Sequence, residues 1–253
     1  MKIRARIFMD TELNLGALIE PSSDAAHYLI SVMRLKAGEN IALFNGRQGE
    51  WIAEFHPITR RQCQLKILKQ SKQQPTDIRP ITLNFALLKK TPMDFLMQKS
   101  TELGVTHFQP IVTERTQSEN IKISRLFAQI IEASEQCERL NIPRIDEPIT
   151  LDELLAQTTQ DDLLIYGNES GDGLPINQFL SAQKYNQNIQ FLMGPEGGFS
   201  PIELAKLKQH NYTHSVGLGP RILRAETAAI AAITAFQLYQ GDWNIMPKWS
   251  LNA

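Results

Sequence analysis

The chain is poor in cysteine: it has two, Cys63 and Cys137. They form neither a metal-ligand spacing nor a disulfide framework, so burial and hydrogen bonding must hold the fold together. It also lacks any apolar run approaching the roughly 20 residues that span a bilayer. The start, Met1-Lys2-Ile3-Arg4-Ala5-Arg6, is basic, but no apolar signal core follows it. The dinucleotide fingerprint G-x-G-x-x-G is missing, as is a phosphate loop ending in Gly-Lys-Ser/Thr, which removes the usual support for nicotinamide and nucleoside-triphosphate chemistry. No internal repeat is evident. What remains is 253 residues of ordinary globular composition, 42% hydrophobic and 21% charged, long enough for one large core or two small ones. A cytosolic protein is expected.

Charge is uneven along the chain. Residues 1–72 hold 11 Lys and Arg against 7 Asp and Glu, whereas residues 73–253 hold 15 against 20. A basic first part beside an acidic remainder suits a polyanion bound by one module, although surface variation alone produces the same pattern. Residues 1–68 read as β-rich. Asn40–Phe44 and Glu50–Phe55 alternate around Asn45-Gly46, a hairpin turn signal, and Gln64–Leu68 is a further strand. One helix interrupts, from about Ser23 to Met33, with Ser23 as its cap. Short strands with one helix suggest a small barrel. The polar, proline-containing stretch from Gln70 to Asp77 reads as a linker.

From Ile81 strands and helices alternate, the signature of a mainly parallel sheet covered on both faces. Ile81–Leu88 and Val105–Val112 are strands. Thr91-Pro92-Met93-Asp94 starts a helix that Gly104 ends, and Ser124–Leu140 is a second helix. Leu163–Tyr166, Ile189–Met193 and Ser215–Leu218 are short buried strands. Ser200-Pro201-Ile202-Glu203 is a capping box, and Ala225–Tyr239 is a helix rich enough in alanine for another backbone to approach it. Domains are therefore expected at 1–72 and 73–253.

Two segments carry the chemistry. Gly194-Pro195-Glu196-Gly197-Gly198-Phe199-Ser200 and, 24 residues later, Leu218-Gly219-Pro220-Arg221-Ile222-Leu223-Arg224-Ala225-Glu226 each follow a strand and lead into a helix. Each loop therefore sits at a strand's carboxyl end, where open α/β sheets build ligand sites. The glycines leave backbone groups free to approach a flat or polar ligand. Either loop alone is equally compatible with tight turns and solvated charges.

Together the two segments resemble the S-adenosylmethionine site of the SPOUT methyltransferases. The resemblance narrows to the RsmE family, the 16S ribosomal RNA uracil-N3 methyltransferases, and extends along nearly the whole chain. Arg4–Phe8 resembles that family's opening, and His27-Tyr28-Leu29-Ile30-Ser31-Val32-Met33-Arg34-Leu35 its first helix. Met33, where leucine is commoner, conserves volume. Phe44-Asn45-Gly46 with Glu50 matches the hairpin, Gln98–Val105 the second-domain helix, and Glu135-Gln136, Arg139 and Pro143 the central helix and its exit.

The resemblance implies a PUA-like RNA-binding barrel followed by an α/β domain with a trefoil knot, acting as a homodimer. The alanine-rich helix either contributes to the dimer contact or packs within one subunit. The implied reaction moves a methyl group from S-adenosylmethionine to N3 of one uridine in the decoding region of small-subunit ribosomal RNA, with no metal. The implied cofactor residues are Gly194, Glu196, Gly197, Leu218, Gly219, Ile222 and Leu223, chiefly through backbone groups, with Leu163–Tyr166 as a further wall. Arg224 either stabilises the uracil anion or holds a phosphate. Glu196 and Glu226 are candidate bases, with water as the alternative and a helix-dipole carboxylate as the bland reading of Glu226. Arg4, Arg6, Arg34, Arg47, Lys89, Lys90 and Arg115 are candidate RNA contacts. Gln136 and Arg139 join them, although Glu135 and Arg139 also have the spacing of an intrahelical ion pair worth a few tenths of a kcal/mol. Three rivals stand beside this reading: a SPOUT enzyme modifying another RNA site such as a ribose 2′-hydroxyl, a ribosome-assembly factor that binds RNA without catalysis, and a small-molecule α/β enzyme, which would leave the basic first module without an explanation.

Overall fold

A computed structural model describes residues 2–116, 121–168, 171–182, 187–243 and 245. The chain divides into two compact units, Met1–Ile78 with Ile131–Ile142, and Arg79–Ile130 with Pro143–Ala253. No helix among the described residues is long and apolar enough to cross a membrane.

The first unit is built on a five-stranded sheet in the order β1-β3-β4-β5-β2. Its strands are β1 (Ile3–Phe8), β2 (Leu18–Ile19), β3 (Asn40–Phe44), β4 (Glu50–Pro57) and β5 (Cys63–Lys72). Alternation in β5 explains the layer: Cys63, Leu65 and Ile67 are buried while Lys66 is exposed. They join Leu13, Leu29, Ile41, Leu43 and Phe55 in one core. The helix expected from Ser23 is shorter and capped one residue earlier. Ser22 accepts from the Ala25 amide at 3.3 Å, α1 runs Ser23–His27, and a π-helical turn, Tyr28–Val32, follows. Arg34 then takes a left-handed φ of 52° that ends the helical path. The Asn45-Gly46 turn is also longer than a two-residue hairpin, because Phe44 pairs with Glu50 and five residues lie between. Asn45 Oδ1 accepts from the amides of Arg47 and Gln48 at 3.0 and 2.9 Å, which makes it the organiser of the loop. The linker begins later than Gln70, since β5 continues to Lys72.

The last part of this unit, Ile131–Ile142, comes from later in the chain and includes the final turns of α3 (Ile123–Gln136). Arg6 fixes it. Its Nε donates to Glu50 Oε2 at 2.8 Å, and its other nitrogens donate to the carbonyls of Ser134 and Arg139 at 2.8 and 2.7 Å. The guanidinium also stacks 3.7 Å from the Phe44 ring centroid. The carbonyls at a helix C-terminus lack intrahelical partners, and Arg6 supplies donors for this one. Glu135 Oε1 accepts from the Phe8 amide at 2.8 Å, and Arg139 lies beyond the helix end.

The second unit holds an eight-stranded sheet, ordered β11-β13-β10-β12-β6-β7-β8, with β9 paired to β7. Its strands are β6 (Ile81–Ala86), β7 (His107–Val112), β8 (Arg144–Ile145), β9 (Ile149–Thr150), β10 (Asp162–Gly167), β11 (Leu174–Pro175), β12 (Asn188–Met193) and β13 (Thr213–Gly217). Every pairing is parallel. The expected α/β class with a parallel sheet is found. Its helices are α2 (Lys90–Glu102), α4 (Leu151–Gln157), α5 (Ile176–Ser181), α6 (Pro201–Gln209) and α7 (Ala225–Gln240). Leu164, Tyr166 and Leu192 pack with Leu151, Leu154 and Leu207 of α4 and α6 on one face. On the other, Phe191 meets Phe236 of α7 edge to face at 5.9 Å. The alanine-rich α7 therefore buries Ala229, Ala232, Ile233 and Phe236 within its own chain. Buried Gln237 reinforces this, donating to the Leu103 carbonyl at 2.6 Å. α2 starts at Lys90 with Lys89 in the capping position, so Thr91 is already inside the first turn and caps nothing.

Candidate functional site

The register of the sheet places the two glycine loops. β12 and β13 both pair with β10, one on each side. Their carboxyl ends are therefore two strand spacings apart, about 10 Å, with the end of β10 between them. Gly167 closes β10 at that point. A Cβ placed on it would lie 3.7 Å from Met193 Sδ and 3.9 Å from Leu218 Cδ1. Side chains 26 and 51 positions after Gly167 in the sequence thus meet over its bare α-carbon and line a cradle between the two strand ends.

The first loop is shaped by its neighbours. The Gly198 amide donates to the Pro195 carbonyl at 2.9 Å, and Gly198 takes φ 67°. A Cβ at Gly194 would stand 3.0–3.3 Å from the Phe199 ring, so the aromatic ring closes the loop only because residue 194 is glycine. Ser200 then starts α6 with the full capping box: its hydroxyl accepts from the Glu203 amide, and Glu203 accepts from the Ser200 amide at 2.8 Å. Glu203 is buried, and its second oxygen accepts from the Glu114 amide at 2.9 Å. Sequence reading saw Glu203 as a cap alone. Nothing local to Ser200-Pro201-Ile202-Glu203 announces the second bond, 89 residues away.

In the second loop Gly219 takes φ 98°, a conformation that favours glycine. Arg224 occupies the capping position of α7, and its carbonyl accepts from the Ala228 amide at 2.8 Å. Ile222 is 84% exposed, an apolar side chain held open at the lip of the cradle. Glu196, Gly197, Arg221 and Arg224 are also exposed, and Glu226 lies half-buried in the first turn of α7. The loops that hold Gly194, Glu196 and Gly197, and Leu218, Gly219, Ile222, Leu223, Arg224 and Glu226, thus leave the carboxyl ends of two strands that flank β10.

The candidate RNA contacts divide differently. Arg6 is half-buried with its guanidinium bonded inside the first unit, so its donors are already taken by protein acceptors and not by a phosphate. Arg4 pairs with Glu39 at 3.3 Å, and exposed Arg47 pairs with Asp10 at 3.1 Å. Arg34, Lys89 and Gln136 are exposed. Arg115 donates to the Gly197 carbonyl at 2.7 Å, so it belongs to the first glycine loop.

A separate cavity of about 470 Å³ lies toward the amino ends of the strands, away from the glycine loops, and includes Thr82, Asn84, His107, Arg144 and Gln190. His107 there has its pKa lowered by burial and by the Arg144 guanidinium, against the opposing pull of Asp146 at 2.8 Å. Its polar walls bond largely to one another: Asn84 donates to Gln190 Oε1 at 3.1 Å, and Gln190 to Asp162 at 3.0 Å. The glycine loops, and not this cavity, have the position at the carboxyl edge that α/β sheets use for ligands.

Known proteins place the chain. A family model described as an RNA methyltransferase domain matches residues 72–237, and one described as an RNA methyltransferase PUA domain matches residues 22–68. The chain is 36% identical to Ribosomal RNA small subunit methyltransferase E of Rickettsia conorii, covering 92% of this chain and 95% of that one. The crystal structure of Ribosomal RNA small subunit methyltransferase E from Neisseria gonorrhoeae, bound to S-adenosyl methionine, has a TM-score of 0.86 at 28% identity, covering 94% and 99% of the two chains. A methyltransferase of Legionella pneumophila in complex with the cofactor SAM has a TM-score of 0.82 at 31% identity, covering 94% and 98%. Since the match runs through both units and takes in both glycine loops, the chain belongs to the ribosomal RNA small subunit methyltransferase E family.

Proposed function

We propose that this chain methylates N3 of one uridine in the decoding region of 16S ribosomal RNA, with S-adenosylmethionine as donor and S-adenosylhomocysteine as by-product. The juxtaposition of the two glycine loops across Gly167 carries the reading. A flat nucleoside suits a site floored by Gly167 with the apolar side chains of Met193 and Leu218 beside it, and with exposed Ile222 at its lip. The Neisseria and Legionella relatives, crystallised with that donor, support the same assignment.

When bound, S-adenosylmethionine supplies a methyl group on a positively charged sulfur, already a good leaving group. The protein's own work is to hold and orient. Backbone groups of Gly194, Glu196, Gly197, Leu218, Gly219 and Leu223 grip the donor, and Ile222 covers it. The uracil imide must lose its N3 proton to become nucleophilic, because the neutral nitrogen is a poor one. Arg224, exposed where α7 begins, stabilises the resulting anion. Glu196 and Glu226 are the side chains placed to accept the proton, with water as the alternative. Holding the nitrogen in line with the reacting carbon provides much of the acceleration. Arg4, Arg34, Arg47, Lys89, Gln136 and Arg139 take the RNA backbone and its surroundings.

We further assign the RNA-binding module to residues 1–72 and the methyltransferase domain, with the further RNA contacts Lys89, Gln136 and Arg139, to residues 73–253, in a cytosolic homodimer. Exposed Leu238, Tyr239 and Trp243, at and beyond the end of α7, offer apolar surface for the second copy. Mass spectrometry of digested ribosomal RNA from cells with and without the gene tests the activity. N3-methyluridine at one decoding-region position should disappear with the gene. Loss of a ribose methyl group in its place would transfer the reading to another RNA site.

A further inference from the structure

Arg115 carries a positive charge just after a strand, which by sequence suits an RNA phosphate. Its setting is different. Its Nη1 donates to the Gly197 carbonyl at 2.7 Å, and its Cβ and Cδ lie 3.7 and 3.6 Å from where a Cβ of Gly197 would stand. The stem thus covers the α-carbon while the guanidinium holds the carbonyl.

The turn that presents Arg115 is itself locked. The Thr113 amide donates to Thr116 Oγ1 at 2.9 Å, and the Thr116 amide returns to the Thr113 carbonyl at 3.1 Å. The two threonine hydroxyls lie 2.9 Å apart. Between them the Glu114 amide donates to buried Glu203, whose other carboxylate oxygen takes the Ser200 amide. The Thr113–Thr116 turn therefore grips the glycine loop twice, at its middle through Arg115 and at its exit through Glu203.

Three glycines in seven residues would otherwise leave this loop wide conformational freedom, lost again each time a ligand is gripped. We propose that Arg115 is a positioning residue of the donor site: by fixing the Gly197 carbonyl it sets the Gly197–Gly198 peptide plane and preorganises the backbone that receives S-adenosylmethionine. The inference rests on the assignment of the two loops to that donor. Arg115 acts through the loop and touches no reacting atom.

Full-length Arg115→Met and Arg115→Lys proteins test it. Donor affinity is measured by calorimetry, melting temperature by a thermal scan, and binding to purified small ribosomal subunits over a salt series. Arg115→Met should weaken S-adenosylmethionine binding about five- to tenfold, the scale of one ordinary net hydrogen bond, with melting temperature and salt slope unchanged. Arg115→Lys, which keeps one donor, should recover part of the loss. Unchanged donor affinity in Arg115→Met overturns the inference. So does a loss confined to subunit binding with a salt slope lower by about one, the mark of a phosphate contact. If the wild-type chain binds no S-adenosylmethionine, both this inference and the pocket assignment fail; wild-type binding with an unaffected Arg115→Met sinks this inference alone.

Discussion

At the scale of single residues, charge was legible and its destination was not. Arg6 and Arg115 are the same residue type as Arg4 and Arg47, yet their partners lie 128 and 82 residues away along the chain. Only folding brings those carbonyls within reach. Removing the Arg6 side chain tests how much depends on it. Arg6→Met leaves the Glu50 carboxylate, 5% exposed, without its closest cation, and should cost about 3 kcal/mol or more by chemical denaturation. Adding Glu50→Leu should return part of that loss, because the stranded charge goes with it. The glycines were more readable, since Gly194, Gly197 and Gly219 announce a bare backbone by their identity. Gly167 was passed over because a single glycine ending a strand has many bland explanations. Its role emerges from Met193 and Leu218 on either side. Gly167→Phe should fill the floor of the cradle and reduce S-adenosylmethionine affinity at least about tenfold by calorimetry, as expected for a ligand displaced from a preformed pocket.

At the scale of elements, local signatures succeeded where they determine structure alone. Ser200-Pro201-Ile202-Glu203 gave its capping box directly, and Gly104 ended α2 with φ 93° as a left-handed cap should. The same signature in Thr150-Leu151-Asp152-Glu153 starts α4 and was open to the same reading. Thr91-Pro92 misplaced a helix start because proline fits anywhere in the first turn, where its missing amide costs nothing, and α2 begins at Lys90. No apolar period distinguishes the π-helical turn Tyr28–Val32 from a continuing α-helix, so that break was hidden. Ser200→Ala should cost about 1 kcal/mol, an ordinary cap loss. Glu203→Leu should cost more and should also weaken donor binding, since it frees Glu114 and the loop exit together. Equal effects of the two substitutions on donor affinity would show that Glu203 caps the helix and nothing else.

At the scale of the whole molecule, alternation revealed a parallel sheet and a β-rich first part, but strand order and the return of Ile131–Ile142 to the first unit were not legible from any local pattern. That return makes residues 1–72 an incomplete unit: a chain beginning at residue 73 would expose the groups that Arg6 and Phe8 satisfy on α3, and should melt below the intact protein. Stability should also depend on pH through His107 and His214, both depressed by burial. As pH falls below about 6.5 the unfolded chain takes up these protons first, so stability is full above that value and is lost as pH drops toward the folded-state pKa values. His107→Gln should flatten part of the fall in melting temperature across that window. The return of Ile131–Ile142 has one more consequence, for synthesis of the chain. On the ribosome the early strands emerge first, yet their unit cannot close until residue 142 has left the exit tunnel. By then β6 and β7 are already out, so the nascent protein must keep an unfinished module from aggregating while about a third of the next one has emerged.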